Sequence, residues 1–201
     1  YSRNKAACEE VLMDAYRETG FPATIVRPSH TYDKTLLPFR GDYTIIDRMR
    51  KGKPVIVHGD GTSLWVLTHH RDFSKGFVPL LGDLNAVGET LHITSDMLLT
   101  WNQIFEITAR AFGVKDVNLV HVPSEVIAGY DADWGTSLLG DKMYSVIFDN
   151  SKIKSFVPDF KAEIPFSEGV NDLVEWYEIP ENQQVDMKFN RMLDSIVEDW
   201  G

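Results

Sequence analysis

The spacing of apolar residues along the chain predicts helices alternating with strands. Ala7, Cys8, Val11, Leu12, Ala15 and Tyr16 recur at helical spacing, with Cys8 expected to pack as a small helix residue. Gly20 and Pro22 close this first helix. Residues 23–28 form a short apolar run suited to a strand buried on both faces, as in parallel sheets covered by helices, and Pro28 ends it because proline has no N–H to donate. A loop over 33–43 and a helix over 45–50, stopping at Gly52, come next. A strand over 54–58 runs into Gly59-Asp60-Gly61-Thr62, which is strong turn chemistry, so the strand over 64–68 is expected to fold back on it as a hairpin.

Further on, 72–81 reads as a helix closed by Gly82 and 89–94 as a strand. A helix begins at Thr100, where Gln103 completes a capping box and Trp101, Ile104, Phe105, Thr108, Ala111 and Phe112 share one face. A strand over 117–122 precedes a short helix capped by Ser124. Residues 129–141 read as irregular, with Tyr130 and Trp134 either packing or closing over a pocket. The segment 148–156 and amphipathic helices over 167–177 and roughly 181–200 complete the chain. Such alternation predicts an α/β layered fold with parallel pairing.

Composition narrows the class. With 43% hydrophobic and 25% charged residues over 201, the chain can bury a core and is not a disordered polymer. No apolar run approaches the roughly 18 residues a membrane helix needs. The net charge of −10 opposes a phosphate backbone, so nucleic acid is an unfavoured partner. Cys8 is the single cysteine, which excludes an internal disulfide and a cysteine-rich zinc site and suits a reducing, cytoplasmic setting. The polar opening from Tyr1 to Lys5 has no signal-peptide core behind it, and a chain that starts on tyrosine reads as trimmed at its front.

Two places carry candidate chemistry. Tyr1 and Lys5, four residues apart on a helix, share a face, so the ammonium can favour the phenolate and bring a phenol from its reference pKa of about 10 toward a range useful in acid/base work. Arg27-Pro28-Ser29-His30-Thr31-Tyr32 falls at the carboxyl end of the first strand, the edge at which open parallel sheets bind ligands. The pair His69-His70 reads as structural and not as a metal site, because neighbours on a strand point to opposite faces.

The order of these features resembles the extended short-chain dehydrogenase/reductase superfamily, and within it the NAD-dependent epimerase/dehydratase family. Tyr1-x-x-x-Lys5 is similar to that family's Tyr-x-x-x-Lys, and Arg27-Pro28-x-x-x-Tyr32 to its Arg-Pro-x-x-x-Tyr-Gly, with Asp33 in the glycine's place. Gly59-Asp60-Gly61-Thr62 followed by His69 and Asp72, Phe148-Asp149-Asn150-Ser151-Lys152, and Phe166-Ser167-Glu168-Gly169 resemble later segments. The resemblance implies the carboxy-terminal part of a Rossmann-like parallel sheet plus a smaller α/β substrate-binding domain. Residues 1–32 and 53–98 would be the nucleotide-binding remnant, and 33–52 and 99–201 mainly the substrate region.

It further implies NAD or NADP as cofactor, Tyr1 as acid/base and Lys5 as its ribose-binding partner, with Pro28, Ser29 and His30 at the nicotinamide end. His30, Tyr32, Trp65 and Trp134 would face a small-molecule substrate, a nucleotide sugar or related carbinol, and a homodimer through the first helix is implied as well. Trp65 stands where many relatives carry a diphosphate-binding arginine, and an indole cannot neutralise a phosphate. The glycine-rich pyrophosphate turn is absent from these residues, so the chain alone is expected to be inactive. A relative kept as a regulatory, RNA-associated module and a simple NADPH-dependent carbonyl reductase are the rival expectations.

Overall fold

The computed structural model describes residues 2–200. Helix α1 (Ser2–Thr19) ends at Gly20, whose φ of 72° lets its N–H turn back onto the Tyr16 carbonyl. None of its described residues is buried, and Cys8, expected to pack, is exposed. Contacts to Arg27 and to the turn at Gly88 tie α1 down. The Tyr16 ring lies over Gly88, where a Cβ would overlap it, and Glu9 accepts the Arg27 guanidinium.

Strand β1 (Ile25–Pro28) pairs in parallel with β6 (Thr90–Ile93). It is less buried than its apolar run predicts: Ile25 is enclosed, but Arg27 and Pro28 are exposed. β2 (His30–Tyr32) pairs in parallel with β5 (Leu67–His69), and the fully buried β3 (Val55–His58) pairs in parallel with β8 (Leu119–Val122). β4 (Leu64–Trp65) runs antiparallel to β7 (Leu99–Thr100).

The hairpin expected of residues 54–68 therefore does not form. Asp60 closes the turn by accepting from the Thr62 N–H at 2.9 Å, but Asn102 then captures it, its backbone N–H reaching the Gly61 carbonyl and its amide the Asp60 carbonyl. Leu64 bonds to the segment around Ser145 and Val146 instead, and β3 is left to β8. Position 33, where a glycine is usual, does not call for one: Asp42 is the non-glycine residue with positive φ among those described, and Asp33 closes a local turn by accepting from the Thr35 N–H at 2.8 Å.

Helices α2 (Asp42–Arg50), α4 (Trp101–Ala111), α8 (Phe166–Tyr177) and α9 (Met187–Trp200) cover the larger core; α3 (His70–Phe77) and α7 (Ser151–Phe156) flank the smaller one, around Leu91, Ile93, Ile153 and Phe160. The capping box at α4 forms as its sequence predicts, Gln103 N–H to Thr100 Oγ1 and Thr100 N–H to Gln103 Oε1. Ser124 is not a cap: it is the first residue of α5 (Ser124–Tyr130), behind Pro123. The stretch read as irregular is helical, since α6 (Ala132–Ser137) is capped by Asp131 and runs on into a π-turn, Leu138–Lys142.

Gly169 in α8 is required by its neighbour. A Cβ there would overlap the Tyr32 hydroxyl and sit 2.8 Å from the His69 ring. Gly169→Ala is therefore expected to lower unfolding free energy by about 1–3 kcal/mol, the range for overpacking, despite alanine's better helix propensity. Urea denaturation measures it, and an unchanged or raised midpoint would contradict the packing described.

Candidate active site

The carboxyl ends of β1, β5 and β6 are joined by hydroxyls. Thr68, buried on β5, accepts the Ser95 N–H at 2.8 Å and shares a 2.7 Å hydrogen bond with Ser29. Asn150, from the Phe148-Asp149-Asn150 segment, secures the end of β6, accepting the Thr94 N–H at 3.2 Å and donating to the Thr94 carbonyl at 2.8 Å. These bonds fix the backbone of Pro28, Ser29 and His30, which line a cavity of about 340 Å³ together with Trp65, Lys142 and Phe148.

A second chamber of about 210 Å³ lies beside it, walled by Phe39, Trp101, Phe105, Trp134 and Leu138, with His30, His58 and Lys142 as polar members. His30 and Lys142 border both spaces. Trp65 donates its indole N–H to His30 Nδ1 at 3.1 Å. An indole N–H can only donate, so Nδ1 is the acceptor and a neutral His30 carries its proton on Nε2. Burial, reinforced by the Lys142 charge, holds the His30 imidazole down to about 4.

Stability should follow. The folded value lies below the ordinary 6.5, so the unfolded chain takes the proton more readily; the contribution is complete above pH 6.5 and lost as pH falls toward 4. His58, lowered chiefly by burial, acts in the same direction. The melting temperature is expected to drop across that window and His30→Gln to lessen the drop; parallel losses in variant and parent would assign it elsewhere.

The expected site residues separate into groups. Pro28, Ser29, His30 and Trp65 meet at the first cavity, and Trp134, only 9% exposed, walls the second. Tyr32, expected to face substrate, is 1% exposed and lines neither cavity: it turns inward against His69 and Phe166, into the room Gly169 leaves. Lys5 is exposed in the first turn of α1, one turn from Glu9. Tyr1 lies outside the described residues. Tyr130, half exposed, donates to Asp199 instead of closing over a chamber. His69 caps α3 by accepting the Arg71 N–H at 3.2 Å, and no group of three His, Cys, Asp or Glu residues suited to a metal occurs among the described residues.

The sequence did not single out Lys142. Its carbonyl accepts from His58 Nε2 at 3.1 Å, Ser63 Oγ at 3.1 Å and Trp101 Nε1 at 3.2 Å, and its ammonium donates to Ser137 Oγ at 2.8 Å. Lys142 closes a π-turn, a feature frequent at functional sites that becomes visible only in the structure.

No described helix is long and apolar enough to cross a membrane. Among proteins of known sequence, the chain is similar to the 2'-dehydrokanamycin reductase of Streptomyces kanamyceticus, 26% identical over 169 residues that cover 80% of this chain and 46% of the reductase. Among solved structures it is similar to the UDP-glucose 4-epimerase of Thermotoga maritima, with a TM-score of 0.69 at 21% identity, covering 90% of this chain and 54% of that one. The UDP-glucuronic acid 4-epimerase of Bacillus cereus, solved in complex with NAD, gives 0.69 at 18% identity, covering 92% and 52%. The chain thus spans about half the length of the relatives it matches. Residues 1–93 match the model of the NAD dependent epimerase/dehydratase family, and the chain has an α/β fold similar to the Rossmann-like fold of the solved epimerases.

Proposed function

We propose that this chain supplies the acid/base end and the substrate side of an NAD(P)-dependent epimerase or dehydratase that acts on a sugar or related carbinol by transient hydride transfer. The observation carrying the reading is the shared wall at the carboxyl edge of β1, where His30 borders both an open cavity and an aromatic chamber. A nicotinamide needs an apolar surface for its ring and polar groups for its carboxamide. Pro28 and Phe148 offer the first and Ser29 and His30 the second, so the residues present fit, and Pro28, Ser29, His30 and Lys5 would hold it.

Bound there, the cofactor supplies a hydride acceptor and donor. The chain's own residues handle the proton: the Tyr1 hydroxyl exchanges it with the substrate alcohol, while the Lys5 ammonium favours the phenolate. His30, with its tautomer set by Trp65, presents an N–H to a substrate oxygen. In this reading residues 1–32 and 53–98 serve the nucleotide and 33–52 and 99–201 mainly the substrate. No Gly-x-Gly-x-x-Gly occurs in the 201 residues, so alone they should bind dinucleotide weakly and turn nothing over.

A second reading, one-way reduction of a carbonyl by NADPH, draws support from the likeness to the 2'-dehydrokanamycin reductase named above. The two are separated in a protein that pairs these residues with a glycine-rich nucleotide-binding half. Conversion of a sugar or related carbinol without net change in cofactor absorbance supports the first, and steady NADPH oxidation with a ketone supports the second. Neither reaction with any carbinol or ketone would sink both.

A further inference from the structure

Lys142 is held with more bonds than a surface lysine needs. Three donors, His58 and Ser63 from the end of β3 and the turn after it and Trp101 from α4, converge on its carbonyl, fixing the backbone from which the side chain leaves. The side chain is 21% exposed and its ammonium lies 5.6 Å from the centre of the Trp65 ring, at the boundary of the two cavities. Its charge is poorly matched. Its carboxylate neighbour among the described residues, Asp141, is 3.8 Å away and 56% exposed, whereas the chamber's other cation, Arg40, is paired with Asp131 at 2.7 Å. Burial pushes the Lys142 ammonium below its ordinary value, as expected of a cation short of compensation.

The groups around it add donors rather than negative charge. His30 faces the same two cavities with its proton on Nε2, and His58 spends its Nε2 proton on the Lys142 carbonyl. An ammonium has three N–H bonds, of which Ser137 takes one. What remains is a fixed cation beside a neutral donor, opening onto an aromatic chamber. Its volume, about 210 Å³, exceeds the roughly 150 Å³ that holds benzene in an engineered protein cavity and is small for a nucleotide.

We propose that Lys142, with His30 beside it, binds a carboxylate or similar single oxyanion on the substrate while one compact ring of that substrate fills the aromatic chamber. The selected class is then a monocyclic carbinol acid, not a diphosphate-linked sugar, and Trp65 no longer stands as a lost arginine: it is the wall under the cation. This deepens the reading given under Proposed function, because it assigns the substrate class of the same cleft, yet its test contains no dinucleotide and can fail or succeed independently.

The experiment titrates the 201-residue chain with benzoate and with its neutral counterpart benzamide, following tryptophan fluorescence and the lysine side-chain NMR signals. Benzoate is expected to bind about tenfold tighter, the usual gap between a charge-assisted and a neutral hydrogen bond. Lys142→Met keeps the apolar stem and should bring the ratio to about one, while Lys142→Arg should preserve a preference for benzoate. Should Lys142→Met fail to fold, the Lys142 ammonium resonance of the unaltered chain must still move with benzoate and not with benzamide. Equal binding of the two probes, no binding of either, a folded Lys142→Met that keeps the preference, or an unmoved Lys142 signal would each overturn the proposal.

Discussion

Replacing Tyr1 with phenylalanine, in a protein that also provides the nucleotide-binding half, is expected to lower kcat for hydride transfer by about 10²–10⁴-fold, the usual contribution of a positioned acid/base group. KM should change little, because in the proposed role the hydroxyl acts only on a proton in flight and phenylalanine differs from tyrosine by that hydroxyl alone. Lys5→Met makes the companion measurement. Without the ammonium, the phenol ionises nearer its reference value of about 10, so the rise of kcat/KM with pH should move to higher pH. Turnover that survives Tyr1→Phe unaltered, or a profile that Lys5→Met leaves in place, removes the proton-transfer assignment from this pair.

Trp101→Ala should be the most destabilising single change near the site, by about 3–5 kcal/mol, as for other buried aromatic-to-alanine truncations. Trp101 is 1% exposed, lies 5.4 Å from Trp65 and 4.9 Å from His58 between ring centres, and donates to the Lys142 carbonyl. Its removal leaves a void where three parts of the site meet. Trp101→Phe separates the two contributions: most of the ring stays and one hydrogen bond goes, for a cost of about 1 kcal/mol. Urea denaturation of both variants measures the difference, and a Trp101→Ala loss no larger than that of Trp101→Phe would show that the indole is not the central packing element.

The features legible in the sequence are those whose causes are local. The Thr100 and Gln103 box needs four consecutive residues, and the helices ending at Gly20 and Gly113 need only a periodic face and a residue that tolerates positive φ. Pairing was not legible. The Gly59-Asp60-Gly61-Thr62 turn has hairpin chemistry, but its carbonyls are taken by Asn102, which no pattern near residue 60 announces. Residues 129–141 look irregular because glycine, aspartate and serine are poor helix formers, yet Asp131 is a good cap, accepting the Trp134 N–H at 2.9 Å, and packing of Trp134 does the rest.

The same distinction runs through the site. Pro28, Ser29 and His30 could be placed from the end of an apolar run before a proline, because ligand edges follow strand ends. Tyr32 could not, since its direction is decided by the space over Gly169, far along the chain. Lys142 was invisible for a like reason: the donors on its carbonyl come from residues 84, 79 and 41 positions away.

The strand partners interleave along the chain: residue 25 pairs with 90, 30 with 67, 55 with 119 and 64 with 100. Each pairing is enclosed by or crosses another, so no strand finds its neighbour by simply turning back. Forming any one of them closes a long loop whose entropy is offset only when the others are in place. Assembly of the sheet edge is therefore a late and collective event, slow for a chain of this size. The junction of the Ser29 and Thr68 hydroxyls with the Ser95 N–H is therefore expected to form only together with the fold that surrounds it.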